Sequence, residues 1–126
     1  MNERKKVVME YSFSCSMRFL YPYLSTPEGL ACWFAEKVKA AQTHYTFFWD
    51  GDATLATLVE TKMAKSVIFK FDDNAPEEYL EFSMKEAEVA QDTILLITDF
   101  ADADELEGIN MVWDSAITRL RSVIGA

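Results

Sequence analysis

The chain has 126 residues, half of them apolar, and its 21 acids against 12 bases give a formal net charge of −9. That length suits one domain with a full core, and the apolar fraction argues against disorder. The negative charge opposes binding to nucleic-acid backbones and to anionic membrane surfaces, both of which select for Lys and Arg.

The basic run Arg4-Lys5-Lys6 reads as the solvated start of a strand rather than a docking patch. No window approaches the ~20 apolar residues of a membrane span. The opening Met-Asn-Glu-Arg-Lys-Lys and the acid-interrupted Val-Val-Met-Glu-Tyr after it do not make a signal core, so a cytoplasmic location is expected. Residues Lys5 to Phe13 alternate around Val7, Met9, Tyr11 and Phe13, which predicts a half-buried strand. Ser14-Cys15-Ser16 then offers a serine cap for a short helix from Met17 to Leu24, with Phe19, Leu20 and Tyr23 available for packing and Pro22 distorting its end. A second short helix is expected to run to about Phe34. Thr26 can cap it with Pro27 at its first position, or Ser25 can pair with Glu28 as a capping box.

From Lys37 the period changes to strands. The runs Lys37–Ala41, His44–Trp49, Ala53–Met63, Ser66–Asp72, Tyr79–Glu88 and Thr93–Phe100 are separated by turn-like segments. Asp50-Gly51-Asp52 is a hairpin signal, Asp72 to Pro76 a longer acidic turn, and Ala90-Gln91-Asp92 a weaker one. Connections this short imply antiparallel neighbours. From Asp102 to Gly125 the period becomes helical. Leu106, Ile109, Val112, Trp113, Ala116, Ile117, Leu120, Val123 and Ile124 share one broad face, and Asp102 and Glu105 have capping-box spacing. At ~1.5 Å per residue this helix spans ~30 Å, so it must lie across a sheet.

That order, with Leu24-Ser25-Thr26-Pro27-Glu28-Gly29-Leu30-Ala31-Cys32-Trp33-Phe34, resembles the START-like helix-grip superfamily, nearest the branch of the heat-shock-protein ATPase activator homologues. The branch often carries Leu-Thr-x-Pro-Glu-x-Leu-x-x-Trp-Phe; here one extra residue separates Leu24 from Thr26. The resemblance implies an α+β helix-grip fold. A curved antiparallel sheet of about seven strands would hold the long C-terminal helix, with a cavity between them and two short helices after the first strand. Many members bind sterols, lipids, polyketides or other apolar molecules, some act through protein contacts, and a few are enzymes.

Parity supplies candidates for an inward face: Val67, Phe69 and Phe71; Leu80, Phe82 and Met84; Leu55, Val59 and Met63. Candidate ligand contacts are Trp33, Phe69, Leu80, Phe82, Trp113, Ile117 and Leu120, with Trp33 and Phe34 read either as a lid on the core or as a pocket gate. So many bulky side chains in a short chain favour a small or collapsed cavity. Tyr45, Phe47 and Trp49 alternate with His44, Thr46 and Phe48, so that strand is apolar on both faces; a homodimer or protein partner could cover one of them.

Chemistry is poorly supported. His44 stands alone, and no nucleophile motif or phosphate loop accompanies it. Cys15 and Cys32 lack zinc spacing and are expected as buried free thiols. No catalytic residue, metal or cofactor is assigned. A cyclase- or hydrolase-like enzyme ranks third, since it would need His44, Tyr79 or Asp99 inside the cavity.

Overall fold

A computed structural model describes residues 4–88 and 91–125. Strand β1 (Arg4–Phe13) leads through helices α1 (Met17–Ser25) and α2 (Pro27–Leu30) into six further strands. These are β2 (Lys37–Ala41), β3 (His44–Trp49), β4 (Asp52–Lys62), β5 (Ser66–Phe71), β6 (Leu80–Glu86) and β7 (Thr93–Asp102). A 3-10 turn, Ala103–Glu105, opens the long helix α3 (Leu106–Ile124). The seven strands form one antiparallel sheet in the order β1-β7-β6-β5-β4-β3-β2, so the first strand returns to pair with the last over all ten of its residues. This is the expected helix-grip arrangement. The predicted turn Ala90-Gln91-Asp92 begins outside the described residues.

Local chemistry sets the element ends. Ser16 caps α1 by accepting from the Phe19 amide at 3.0 Å. The helix runs on through Pro22 to Ser25; Pro22 is exposed, so the backbone bond it cannot donate is missing on the solvent side. Of its expected packing residues Leu20 is buried, but Phe19 stays 48% exposed and Tyr21 and Leu24 go inside instead. Thr26 caps α2, accepting from the Gly29 amide at 2.9 Å, while the Ser25 hydroxyl turns back to the Tyr21 carbonyl, so the Thr26-Pro27 alternative is the one realised. The predicted continuation to Phe34 becomes a series of tight turns after Leu30. Adjacent residues on a regular helix point ~100° apart, and the tightening lets both Trp33 and Phe34 enter the core.

The β3–β4 hairpin closes on Asp50 and Gly51, with φ of 50° and 83°. Both central residues of this two-residue turn lie in the left-handed region, the geometry that matches strand twist and selects Gly. The capping box is formed, with Glu105 Oε1 accepting from the Asp102 amide at 3.0 Å.

Aromatic residues dominate the core, and Phe34 sits at its hub. Its ring meets Phe47 at 5.0 Å, Trp49 at 5.2 Å, and Phe82 and Trp113 each at 5.8 Å. Edge-to-face and offset contacts of this kind add to simple burial.

Four expectations need correction. Tyr45 and Phe47 are buried on the concave face and Trp49 packs beside them, so this trio faces the core and offers no partner surface. Their neighbours explain why, since Phe69 and Phe34 meet the same rings from β5 and the α2 turn. Leu55, Val59 and Met63 do not line the interior: they are 53%, 48% and 83% exposed, and Met63 lies in the turn after β4. Once the rings of β3 and β5 point inward, their cross-strand partners Thr54, Ala56 and Leu58 must do so too, and Ala56 fits between Tyr45 and Phe71. A bulge between Leu58 and Glu60 shifts the register beyond that point.

On α3 the buried stripe narrows to Trp113, Ala116, Ile117 and Leu120; Val112 and Val123 are 67% and 45% exposed because the sheet covers only one side of the helix. Cys15 and Cys32 are free, but Cys15 is half-buried and Cys32 exposed. Each lies in a turn next to a helix: the Cys15 carbonyl accepts from Thr93 Oγ1 at 2.7 Å, and Cys32 Sγ donates to the Glu28 carbonyl.

Candidate functional site

The C-terminal part of α3, from Trp113 to Leu120, presses onto the sheet; toward its N-terminus the helix stands away from it. The space between is a cleft of about 720 Å³. Phe71 of β5, Leu80 of β6, Trp49 of β3 and Ala101 of β7 supply its sheet side, Ile109 and Trp113 its helix side, and Phe34 one end. The volume falls within the ~300–1,000 Å³ range of small-molecule sites. The small or collapsed cavity expected from the bulky composition is therefore only half of what is found. The centre is filled, as expected, but the open space lies beside the core where α3 diverges.

The walls are held by their own hydrogen bonds. Trp49 Nε1 donates to the Phe34 carbonyl at 2.8 Å, Trp33 Nε1 to the Tyr23 carbonyl at 2.8 Å, and Trp113 Nε1 to Asp99 Oδ2 at 3.1 Å. Satisfied indole N–H groups let these large rings line an interior without leaving a donor unpaired. Arg119 Nε donates to the Trp33 carbonyl at 3.2 Å, tying α3 to the α2 turn.

At the rim Arg4 bridges four segments. It contacts Glu78 Oε1 at 2.9 Å, Glu105 Oε1 at 3.1 Å and Asp102 Oδ1 at 3.3 Å, and donates to the Phe100 carbonyl. Glu78 is buried, and these contacts, the Glu78 hydrogen bond foremost, push the Arg4 pKa further up from an already high value. The first residue of the basic run is thus a tether between β1, β7, the loop before β6 and the start of α3.

Asp99 is a polar group that the sheet itself brings into the cleft. It lies on the concave side of β7, in phase with the buried Leu95 and Ile97, and its other oxygen accepts from the Phe100 amide at 2.8 Å. Burial raises its carboxyl pKa; both hydrogen bonds and the charge of Arg4 act in the opposite direction, and Glu78 adds to the rise. A carboxyl with a raised folded pKa holds its proton more tightly when folded, so stability falls as pH rises from the unfolded value through the folded one. Asp99→Asn is therefore expected to gain on the parent chain between the ordinary Asp range and neutrality. Denaturant midpoints at acid and neutral pH measure this, and a difference independent of pH would show that the buried charge does not weigh on folding.

Of the sequence candidates, Leu80 and Trp113 line the cleft. Phe69, Phe82, Ile117 and Leu120 lie in the packed core beneath it, each at most 2% exposed. Trp33 is buried too and borders a smaller recess of about 430 Å³ with Cys32 and Glu36, separate from the wall formed by Leu80. Asp99 enters the cleft; His44 is exposed, and Tyr79 rests edge-on against Phe100 at 5.3 Å without lining it. Sequence reasoning missed Arg4, Arg119 and Ile109 as lining residues, and gave Trp49 another role. The parity that grouped Phe71 with Phe69 was a usable signal, whereas nothing local distinguishes Arg4 from Lys5.

Comparison with known proteins places this geometry. A family model of the START-like superfamily domain matches residues 1–126. The structure of BfR322 from Bacteroides fragilis is 33% identical, covers 98% of this chain and 92% of its own, and superposes with a TM-score of 0.68. The Aha1 dimer from Colwellia psychrerythraea is 17% identical over 95% of this chain and 96% of its own, with a TM-score of 0.78. DynU16, a protein of the dynemicin biosynthetic locus, is 17% identical with a TM-score of 0.77; the match covers 95% of this chain and 48% of DynU16. Among curated proteins none matches the chain.

Proposed function

The chain belongs to the START-like superfamily, and from that premise we propose that it binds a small, largely apolar molecule in the cleft between α3 and the concave face of the sheet. The observation that carries this reading is the cleft itself, about 720 Å³ in volume and walled by Phe34, Trp49, Phe71, Leu80 and Trp113 beside an already filled core. The Trp49 and Trp113 rings, held in place by their indole hydrogen bonds, form part of a pre-shaped surface, and a ligand that packs on them would displace water at little cost in order. A similar protein, DynU16, comes from a biosynthetic locus, which fits a ligand of polyketide-like size. An enzyme reading has less support, because Asp99 accepts from the Phe100 amide and the Trp113 indole, and neither is an acid–base or nucleophilic partner.

Gly108 gives a direct test. It lines the cleft on α3, and a Cβ there would meet nothing within 4 Å. Gly108→Trp is expected to fill the cleft, abolish binding of an environment-sensitive naphthalene probe, and leave stability equal or slightly higher, since Gly in a helix is ~0.5–1 kcal/mol worse than Ala. Undiminished probe binding by the folded variant would place the ligand elsewhere or remove it.

A second reading rests on the outer face of the sheet, where Val8, Leu55 and Val59 are exposed at 54%, 53% and 48%. Apolar residues there suit a protein contact. The similar Aha1 is a dimer, so self-association through this convex face is the form such a contact would take. The acidic surface would favour basic groups on any other partner.

A further inference from the structure

We propose that the ligand of the cleft carries a protonated amine on its apolar body, and that this amine donates to the Asp99 carboxylate. The proposal rests on the ligand-binding reading above and names the chemical class that the site selects.

The position of Asp99 is the first reason. Each of its oxygens accepts one hydrogen bond, from the Phe100 amide and from the Trp113 indole, and both donors are neutral. A carboxylate can accept about four hydrogen bonds, so capacity remains on a group that lines the cleft. Among the described residues the cations that line the cleft are Arg4, which pairs with Glu78, Asp102 and Glu105 and acts on Asp99 only through its charge, and Arg119, whose Nε donates to the Trp33 carbonyl. Burial that disfavours the charged carboxyl would be offset by a bound cation.

The surroundings favour the same charge. Carboxylates of Asp73, Asp99, Asp104 and Glu105 line the cleft against the two guanidinium groups of Arg4 and Arg119. Asp73, Asp104 and Glu105 are exposed at the rim, and a rim with that excess of carboxylates attracts cations. The aromatic walls of the cleft, Trp49, Phe71 and Trp113, would bury the apolar remainder. An anionic ligand would meet repulsion from the Asp99 carboxylate, and a purely apolar one would desolvate Asp99 with nothing in return.

The test compares 2-naphthylmethylamine with 2-naphthylmethanol, two probes of one shape, titrated into the full chain by calorimetry. The parent is expected to bind the amine roughly 10-fold more tightly than the alcohol, the size of a charge-assisted hydrogen bond. Asp99→Asn should bring the amine to within about 3-fold of the alcohol, while Asp99→Glu should retain a preference for the amine. In parallel, NMR should show the Phe100 amide and the Trp113 indole N–H of the parent shifting more with the amine, a readout available even if a variant fails to fold. Equal affinity of the two probes for the parent, or an amine preference that survives Asp99→Asn, overturns this proposal and leaves the cleft reading intact. If neither probe binds or moves the Trp113 indole, the cleft reading fails and this one with it.

Discussion

Gly29→Ala is expected to destabilise the protein by about 3 kcal/mol or more, at the upper end of what overpacking produces. A Cβ at Gly29 would lie 2.6 Å from Tyr23 Cα and closer still to the Pro22 carbonyl oxygen. Both are backbone atoms of α1, so no side chain can rotate away to make room. The close approach follows from the two consecutive caps. Pro22 O accepts both the Thr26 amide and the Thr26 hydroxyl, and Thr26 Oγ1 in turn accepts the Gly29 amide, which draws the first turn of α2 onto the last turn of α1. Relieving the clash means opening that junction, and Trp33 depends on it because its indole N–H donates to the Tyr23 carbonyl. The control is Gly108→Ala on α3, where the added methyl meets open space and helix propensity predicts a gain of about 0.5–1 kcal/mol. Chemical denaturation of the two variants should give midpoints on opposite sides of the parent. A Gly29→Ala midpoint within error of the parent would mean that α1 and α2 do not meet as tightly as described.

The order of elements was legible because each carries its own local signal. Alternation marked β1, Asp50-Gly51 the β3–β4 hairpin, and helical spacing α3; the first two appear within a residue of the expected bounds, while α3 starts at Leu106, after the 3-10 turn Ala103–Glu105, rather than at Asp102. What a single strand cannot announce is which of two apolar faces turns inward. β4 offered Leu55, Val59 and Met63 on one side and Thr54, Ala56 and Leu58 on the other, and hydrophobicity chose the wrong side. The choice is made across the sheet, by the rings of Tyr45, Phe47 and Phe69 that face β4, and a small residue such as Ala56 belongs where rings crowd on both flanks. The cleft was hidden for a related reason. Its lining joins Arg4 near the start of the chain, Trp49 and Phe71 from the middle and Ile109 near the end. Only the pairing of β1 with β7 and the angle of α3 bring them together. Asp99 was noticeable as an acid in an apolar strand; that it opens into a cleft rather than to solvent depends on Trp113, fourteen residues away.

Phe47→Asp is expected to abolish folding, and this separates the core role of β3 from an interface role. Phe47 is fully buried, with its ring against Phe34 at 5.0 Å, Phe69 at 5.7 Å and Trp49 at 5.8 Å. Removing a buried Phe side chain costs about 3–5 kcal/mol, and an unpaired carboxylate in the space it leaves adds a penalty of several kcal/mol unless it binds a proton. Together these approach the whole stability of a small domain, ~5–15 kcal/mol. The expected result is insoluble protein or a soluble chain without near-ultraviolet circular dichroism. Phe47→Leu keeps the site apolar and should fold with a moderate loss. Leu55→Asp provides the opposite case. It sits on the outer face at 53% exposure, one strand away, and an exposed substitution of this kind should move stability by no more than about 0.5–1 kcal/mol. If the protein self-associates through its convex face, Leu55→Asp should yield a folded monomer by light scattering. A folded Phe47→Asp with altered association would instead return β3 to the surface and overturn the inward orientation of its rings.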